Sequence, residues 1–117
     1  MIWKVDFYED AEGFAPVEDF IAGLPREHKA KALAVIRLLE EEGPSLPYPY
    51  SSQVRGKMRE LRTQYAKDKI RILYFGDSRR YFILLHGLVK RSDRLPEEDI
   101  QVAEMRMHHH IQRVKGS

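Results

Sequence analysis

The chain has 117 residues, 43% hydrophobic and 32% charged, with a formal net charge of +2; that is the balance of one soluble globular domain, not of a disordered chain. It contains no cysteine, which excludes disulfides and thiolate metal sites. The longest apolar runs, such as residues 81–85, are far too short to cross a bilayer, and the first residues lack the apolar stretch of a signal peptide, so the expectation is a single cytoplasmic domain over residues 1–117 with no membrane partner.

The charge is unevenly spread. Residues 1–54 hold five Lys/Arg against ten Asp/Glu, residues 55–94 twelve against four, and residues 95–117 three against four. A basic block in the middle of an otherwise acidic chain points either to a polyanionic partner or to a merely solvated basic face.

Residues 2–8 read as a strand, with Val5 and Phe7 alternating against Lys4 and Asp6. Residues 9–15 read as a loop, and Pro16 opens a helix. Val17, Phe20, Ile21 and Leu24 then recur at helical spacing. Gly23 ends this helix, and Pro25 starts another that runs to about Glu42 and stops at Gly43-Pro44. Its buried stripe is Leu33, Ile36 and Leu39, or Ala32, Val35 and Leu39. Residues 43–52, with Pro44, Pro47 and Pro49 around Tyr48, read as a stiff loop. Tyr48, Tyr50 and Tyr65 are expected to pack in loop or core, with stacking on bases as the alternative; Trp3 is expected in the core.

Three strand candidates follow at residues 57–65, 69–76 and 81–89, joined by short links as in a meander of antiparallel hairpins. Pro96 opens a last helix whose Glu97, Glu98 and Asp99 suit its positive end. Ile100, Ala103, Met107, Ile111 and Val114 form its stripe. His108, His109 and His110 are consecutive on that helix, so they point about 100° apart and cannot converge on one ion. They read as solvent-facing polar residues between Met107 and Ile111, and no metal site is expected. The order β-α-α-β-β-β-α implies an α+β fold, an antiparallel sheet with helices on one face.

A two-residue turn at Ala66-Lys67 would set Arg62 opposite Arg71, and a loop at residues 77–80 would set Arg71 opposite His86. One face would then carry Leu61, Thr63, Tyr65, Ile70, Ile72, Tyr74, Ile83, Leu85 and Val89 as a core. The other would carry Glu60, Arg62, Gln64, Lys69, Arg71, His86 and Lys90 beside Leu73, Phe75, Phe82, Leu84 and Leu88. Like charges directly opposite on a sheet destabilise it. Arg62 and Arg71 therefore imply either neutralisation by Glu60 or a site for an anion such as phosphate, which guanidinium grips bidentately.

The series Met58-Arg59-Glu60-Leu61-Arg62, Lys69-Ile70-Arg71-Ile72-Leu73-Tyr74-Phe75 and Ile83-Leu84-Leu85-His86-Gly87-Leu88-Val89-Lys90-Arg91, followed by Leu95-Pro96-Glu97-Glu98-Asp99-Ile100, resembles the HigB-like, phage-derived branch of the RelE/ParE toxin superfamily. The resemblance covers nearly the whole chain. Leu88 stands where Phe is common and Arg91 where Lys is common, each keeping the residue character. The resemblance implies a RelE-like fold and ribosome-dependent cleavage of messenger RNA. It also implies a helix-turn-helix antitoxin of the HigA type that blocks the site and alone contacts operator DNA.

The expected chemistry is attack of a ribose 2′-OH on the adjacent phosphorus, without metal or other cofactor, which needs orientation, charge neutralisation and proton transfer. Arg62, Arg71 and Lys90 are the candidate phosphate and transition-state cations. Lys57, Arg59, Lys69 and Arg91 are candidates for holding RNA backbone. His86 is the candidate general acid or base, because imidazole is the side-chain type suited to that work near neutrality; the alternative is a packed strand histidine whose ring bonds a backbone carbonyl. Two rivals share the fold: a ParE-like toxin that poisons gyrase, and a non-enzymatic module that only binds antitoxin.

Overall fold

A computed structural model describes residues 2–115; Met1, Gly116 and Ser117, which the single-domain expectation includes, lie outside the described residues. The elements in chain order are β1 (Val5–Phe7), α1 (Pro16–Ala22), α2 (Arg26–Glu42), a 3-10 turn (Gly43–Ser45), β2 (Ser51–Arg55), β3 (Met58–Tyr65), β4 (Asp68–Gly76), β5 (Phe82–Lys90) and α3 (Glu97–Lys115). They form an α+β fold around a five-stranded mixed sheet of order β1-β5-β4-β3-β2. β1 runs parallel to β5, and every other pairing is antiparallel.

The helices begin and end where proline and glycine place them. Pro16 occupies the first turn of α1, and Gly23 caps its end. On α2 the buried residues are Ala32, Val35, Ile36 and Leu39, while Leu33 is exposed, so the second of the two candidate stripes faces the sheet. The acidic end of α2 is tied down from outside: the Trp3 amide donates to the Glu40 carbonyl at 2.8 Å. Gly43 follows with φ +59°, and a Cβ there would lie 2.2 Å from the Trp3 indole nitrogen, so glycine is required twice over.

Three expectations need correction. The sheet gains β2 from the stretch read as loop, because Ser51 and Ser52 pair with Leu61 and Glu60. The helices do not share one face. α1 and α2 cover Leu61, Ile70, Ile72, Tyr74 and Leu84. α3 packs on the opposite face over Met58, Leu73, Phe75, Ile83 and Leu85. A sheet buried on both faces shows continuous apolar runs, and residues 82–85 are such a run.

The third correction is register. The Ala66-Lys67 turn behaves as expected, with Tyr65 opposite Asp68 and Arg62 opposite Arg71. Between β4 and β5, however, a bulge intervenes: Leu73 faces His86 while Tyr74 faces Leu84, leaving Leu85 as the extra residue. Arg71 therefore faces Leu88, not His86. The loop also takes in Tyr81, so that Gly76 faces Phe82, and this one-residue slip on the hairpin side of the bulge exchanges the expected faces of Phe82, Ile83, Leu84 and Leu85.

Candidate functional site

α3 starts over His86, where Asp99 binds the imidazole, and runs toward Asp77, which binds His110. The other end of that sheet face lies outside its span. There β3, β4 and β5 carry Arg62, Lys69, Arg71, Leu88 and Lys90. Arg62 stands directly opposite Arg71, and Lys69 opposite Lys90. Two like-charged pairs on adjacent rungs are unfavourable unless something between them is negative.

Two carboxylates supply part of that charge. Glu60, 9% exposed, lies between the arginines, with one oxygen 3.3 Å from Arg71 Nε and the other 3.6 Å from Arg62 Nη1. Arg71 is only 3% exposed, and its Nη1 donates to the carbonyls of Thr63 and Ile70, each at 3.0 Å. Asp93, on the loop after β5, pairs with Lys69 through its carboxylate and accepts from Lys90 Nζ through its backbone carbonyl at 2.7 Å. The Asp93 side chain is 90% exposed.

Four cations thus face two carboxylates, an excess of two positive charges. Burial, and then the neighbouring Arg62, hold Arg71 below its ordinary pKa. Burial, and then Arg71, do the same to Lys90. Cations that push one another's pKa down are stabilised by an incoming anion. Arg62 is half-buried beside the loop before β2: its Nε donates to the Pro49 carbonyl at 3.1 Å, and its guanidinium lies 5.1 Å from the centre of the Tyr48 ring.

The remaining candidates disperse. Lys57 is exposed in the β2–β3 turn, five residues along β3 from Arg62 and so roughly 17 Å away. Arg59 pairs across from Tyr74 on the α1–α2 face, and its Nε donates to Ser51 Oγ at 3.0 Å. Arg91 is exposed and bonded to Asp68 at 3.0 Å. Lys69 stays in the cluster.

His86 is held from both sides. Arg106 Nη1 lies 3.2 Å from its Nδ1, and Asp99 lies 2.6 Å from its Nε2. Arginine has no acceptor, so Nδ1 must accept and Nε2 carries the proton given to Asp99. The contact is to carboxylate and guanidinium, not to a backbone carbonyl, and it ties β5 to α3.

The histidine run also needs correction. His108 is exposed, but His109 Nδ1 meets the Tyr8 hydroxyl at 2.6 Å, and buried His110 binds Asp77 at 3.0 Å. Two of the three are docking residues for α3, because a long amphipathic helix on a sheet buries more than its apolar stripe. The tyrosines run the other way: Tyr48, Tyr50 and Tyr65 are all exposed. Trp3 is half-buried, against Gly43 and Phe82. Asp93 was missed altogether; its only signal is a lone carboxylate three residues beyond Lys90 at a strand end. Among the described residues no group of three or more His, Asp or Glu is placed to hold a metal ion, and no helix is long and apolar enough to cross a membrane.

Residues 19–108 match the family described as phage derived protein Gp49-like (DUF891). Over 74 residues the chain is 38% identical to the protein named "Putative toxin HigB2" in Mycobacterium tuberculosis (strain ATCC 25618 / H37Rv), a match that takes in 59% of this chain and 37% of that one. The matched segment therefore spans little more than a third of that relative's length.

Proposed function

Because the chain belongs to the phage-derived Gp49-like family and is similar to a protein named as a HigB2 toxin, we propose that it is the toxin of a type II toxin-antitoxin system and that it cuts messenger RNA on the ribosome. The observation that carries this reading is the cluster of Arg62, Lys69, Arg71 and Lys90, only half compensated by Glu60 and Asp93, at the end of the sheet outside the span of α3.

In this reading a 2′-OH attacks the adjacent phosphorus and the 5′-oxygen leaves. Arg62 and Lys90 contact the phosphate and neutralise the charge that develops on its oxygens. Lys69 joins them when exposed Asp93 swings away. Arg71 is too buried to grip a phosphate squarely; it holds Glu60 and raises the local potential behind Arg62. His86 braces β5 against α3. The whole chain acts as one toxin domain in the cytoplasm, and its partner is an antitoxin of the HigA type whose acidic groups cover the cationic end.

The test is induced expression in bacteria with mapping of transcript ends for the wild type, for Arg62→Ala with Lys90→Ala, and for His86→Ala. Growth arrest with new ends inside translated messages is expected for the wild type. Removing a single charge-stabilising donor costs about 10²–10³-fold in rate, so the double variant should make no detectable cuts. His86→Ala should still cut. Arrest without cuts sinks the nuclease reading in favour of a gyrase-poisoning toxin. No arrest at all favours a module that only binds antitoxin.

A further inference from the structure

Beside the cationic cluster lies a feature that phosphate chemistry does not use. Tyr48 and Tyr50 are 69% and 45% exposed. Large aromatic rings left in water forgo the burial that normally repays them, so two of them flanking one proline call for an explanation. They are not on a loose loop. The amides of Tyr50 and Ser51 both donate to the Pro47 carbonyl, at 3.0 and 3.1 Å, and the Arg62 amide donates to the Tyr50 carbonyl at 2.8 Å. Arg62 Nε adds the bond to the Pro49 carbonyl. With Pro44, Pro47 and Pro49 restricting the backbone, the segment holds its rings at a set distance from the cations.

Between this segment and the arginine pair lies a shallow depression of about 220 Å³, bordered by Pro49, Tyr50, Arg62, Gln64 and Arg71. The Arg62 guanidinium lies over the Tyr48 ring, the arrangement a π-face offers a cation. Single-stranded RNA is recognised by splaying bases onto aromatic rings and guanidinium planes while cations follow the backbone. Here the guanidinium over the ring belongs to Arg62, itself one of the phosphate-neutralising residues.

We propose that Tyr48 is a base-stacking residue that holds the nucleotide next to the phosphate gripped by Arg62. The inference rests on the nuclease reading and deepens it. When Arg62 turns to a phosphate, the Tyr48 face it covers becomes free for a nucleobase. Stacking selects a flat ring over water without selecting one base strongly, so the contact positions the strand more than it reads it.

The test is fluorescence anisotropy with a labelled ten-nucleotide single-stranded RNA, titrated at several salt concentrations with the wild type, Tyr48→Ala, Tyr48→Phe and Arg62→Ala. Stacking is worth about 1–3 kcal/mol per base, so Tyr48→Ala should weaken binding by about 5- to 150-fold. Its salt slope should not change, because no phosphate contact is lost. Tyr48→Phe should bind like the wild type. Arg62→Ala should instead flatten the slope by about 0.7, the loss of one contact to a single strand. An oligonucleotide with one abasic position should bring the wild type down toward Tyr48→Ala. Equal binding by the wild type and Tyr48→Ala overturns the inference and leaves the nuclease reading standing. So does a Tyr48→Ala loss matched by a lower melting temperature, which would make the ring structural. If the wild type does not bind the RNA, the inference also falls, and the transcript mapping judges the nuclease reading separately.

Discussion

Glu60 is the residue on which the cationic end of the sheet depends. It is nearly buried, and its two oxygens engage Arg71 and Arg62 at 3.3 and 3.6 Å. Replacing it with alanine strands Arg71, a 3% exposed guanidinium, beside Arg62 with only two backbone carbonyls for company. Removing one partner of a buried pair costs about 3–5 kcal/mol. For a domain of this size that is a fall in melting temperature of about 12–20 °C. Glu60→Leu combined with Arg71→Leu removes both charges and leaves the carbonyls of Thr63 and Ile70 without their donor, at about 1 kcal/mol each. The double variant should therefore be clearly more stable than Glu60→Ala. Urea unfolding of the three proteins measures this, provided the m-values agree. Sulfate should stabilise Glu60→Ala more than it stabilises the double variant, which controls for the general salting effect. The reasoning is refuted if Glu60→Ala loses less than about 1 kcal/mol, or if the double variant is as unstable as the single one.

Two further outcomes follow from packing and from titration. At Gly87 a Cβ would lie 2.3 Å from the Phe20 ring, so Gly87→Ala should destabilise by about 1–3 kcal/mol; adding Phe20→Leu should recover part of the loss in thermal unfolding. At Asp77 burial alone would raise the carboxyl, but hydrogen bonds from His110 and Arg79 and from the backbone amides of Tyr81 and Arg79 outweigh it and hold the pKa below the ordinary value. A depressed carboxyl contributes stability above its unfolded pKa and loses it as pH falls through the folded one. The stability gap between the wild type and Asp77→Asn should thus be full above about pH 5 and shrink steadily below about pH 4, read as denaturation midpoints across that range.

The parts of the fold legible in the sequence are those settled by contacts close along the chain. Pro16, Gly23, Pro25 and Gly43 bound the first two helices where they were expected, because each acts through its own backbone. The Ala66-Lys67 turn sets the β3–β4 register by its length alone, so the pairing of Arg62 with Arg71, the germ of the site, could be read without a structure. The resemblance to HigB-like toxins rested on the same local strings.

Everything that depends on which elements meet lay beyond the local strings. Residues 82–85 are apolar on both sides, so alternation carries no information about facing, and the β4–β5 bulge was invisible. The longer hairpin loop and that bulge together moved His86 away from Arg71 and under α3. β1 joined β5 in parallel, and α3 crossed to the second face, through contacts among distant segments. His109 and His110 took their roles from Tyr8 and Asp77, far away in the chain. Composition and one short turn were enough to show that the middle of this protein is basic and that two arginines oppose each other. Only the packing of α3 over one end of the sheet determined which cations stay uncovered, because burial is a property of neighbours and not of the residue.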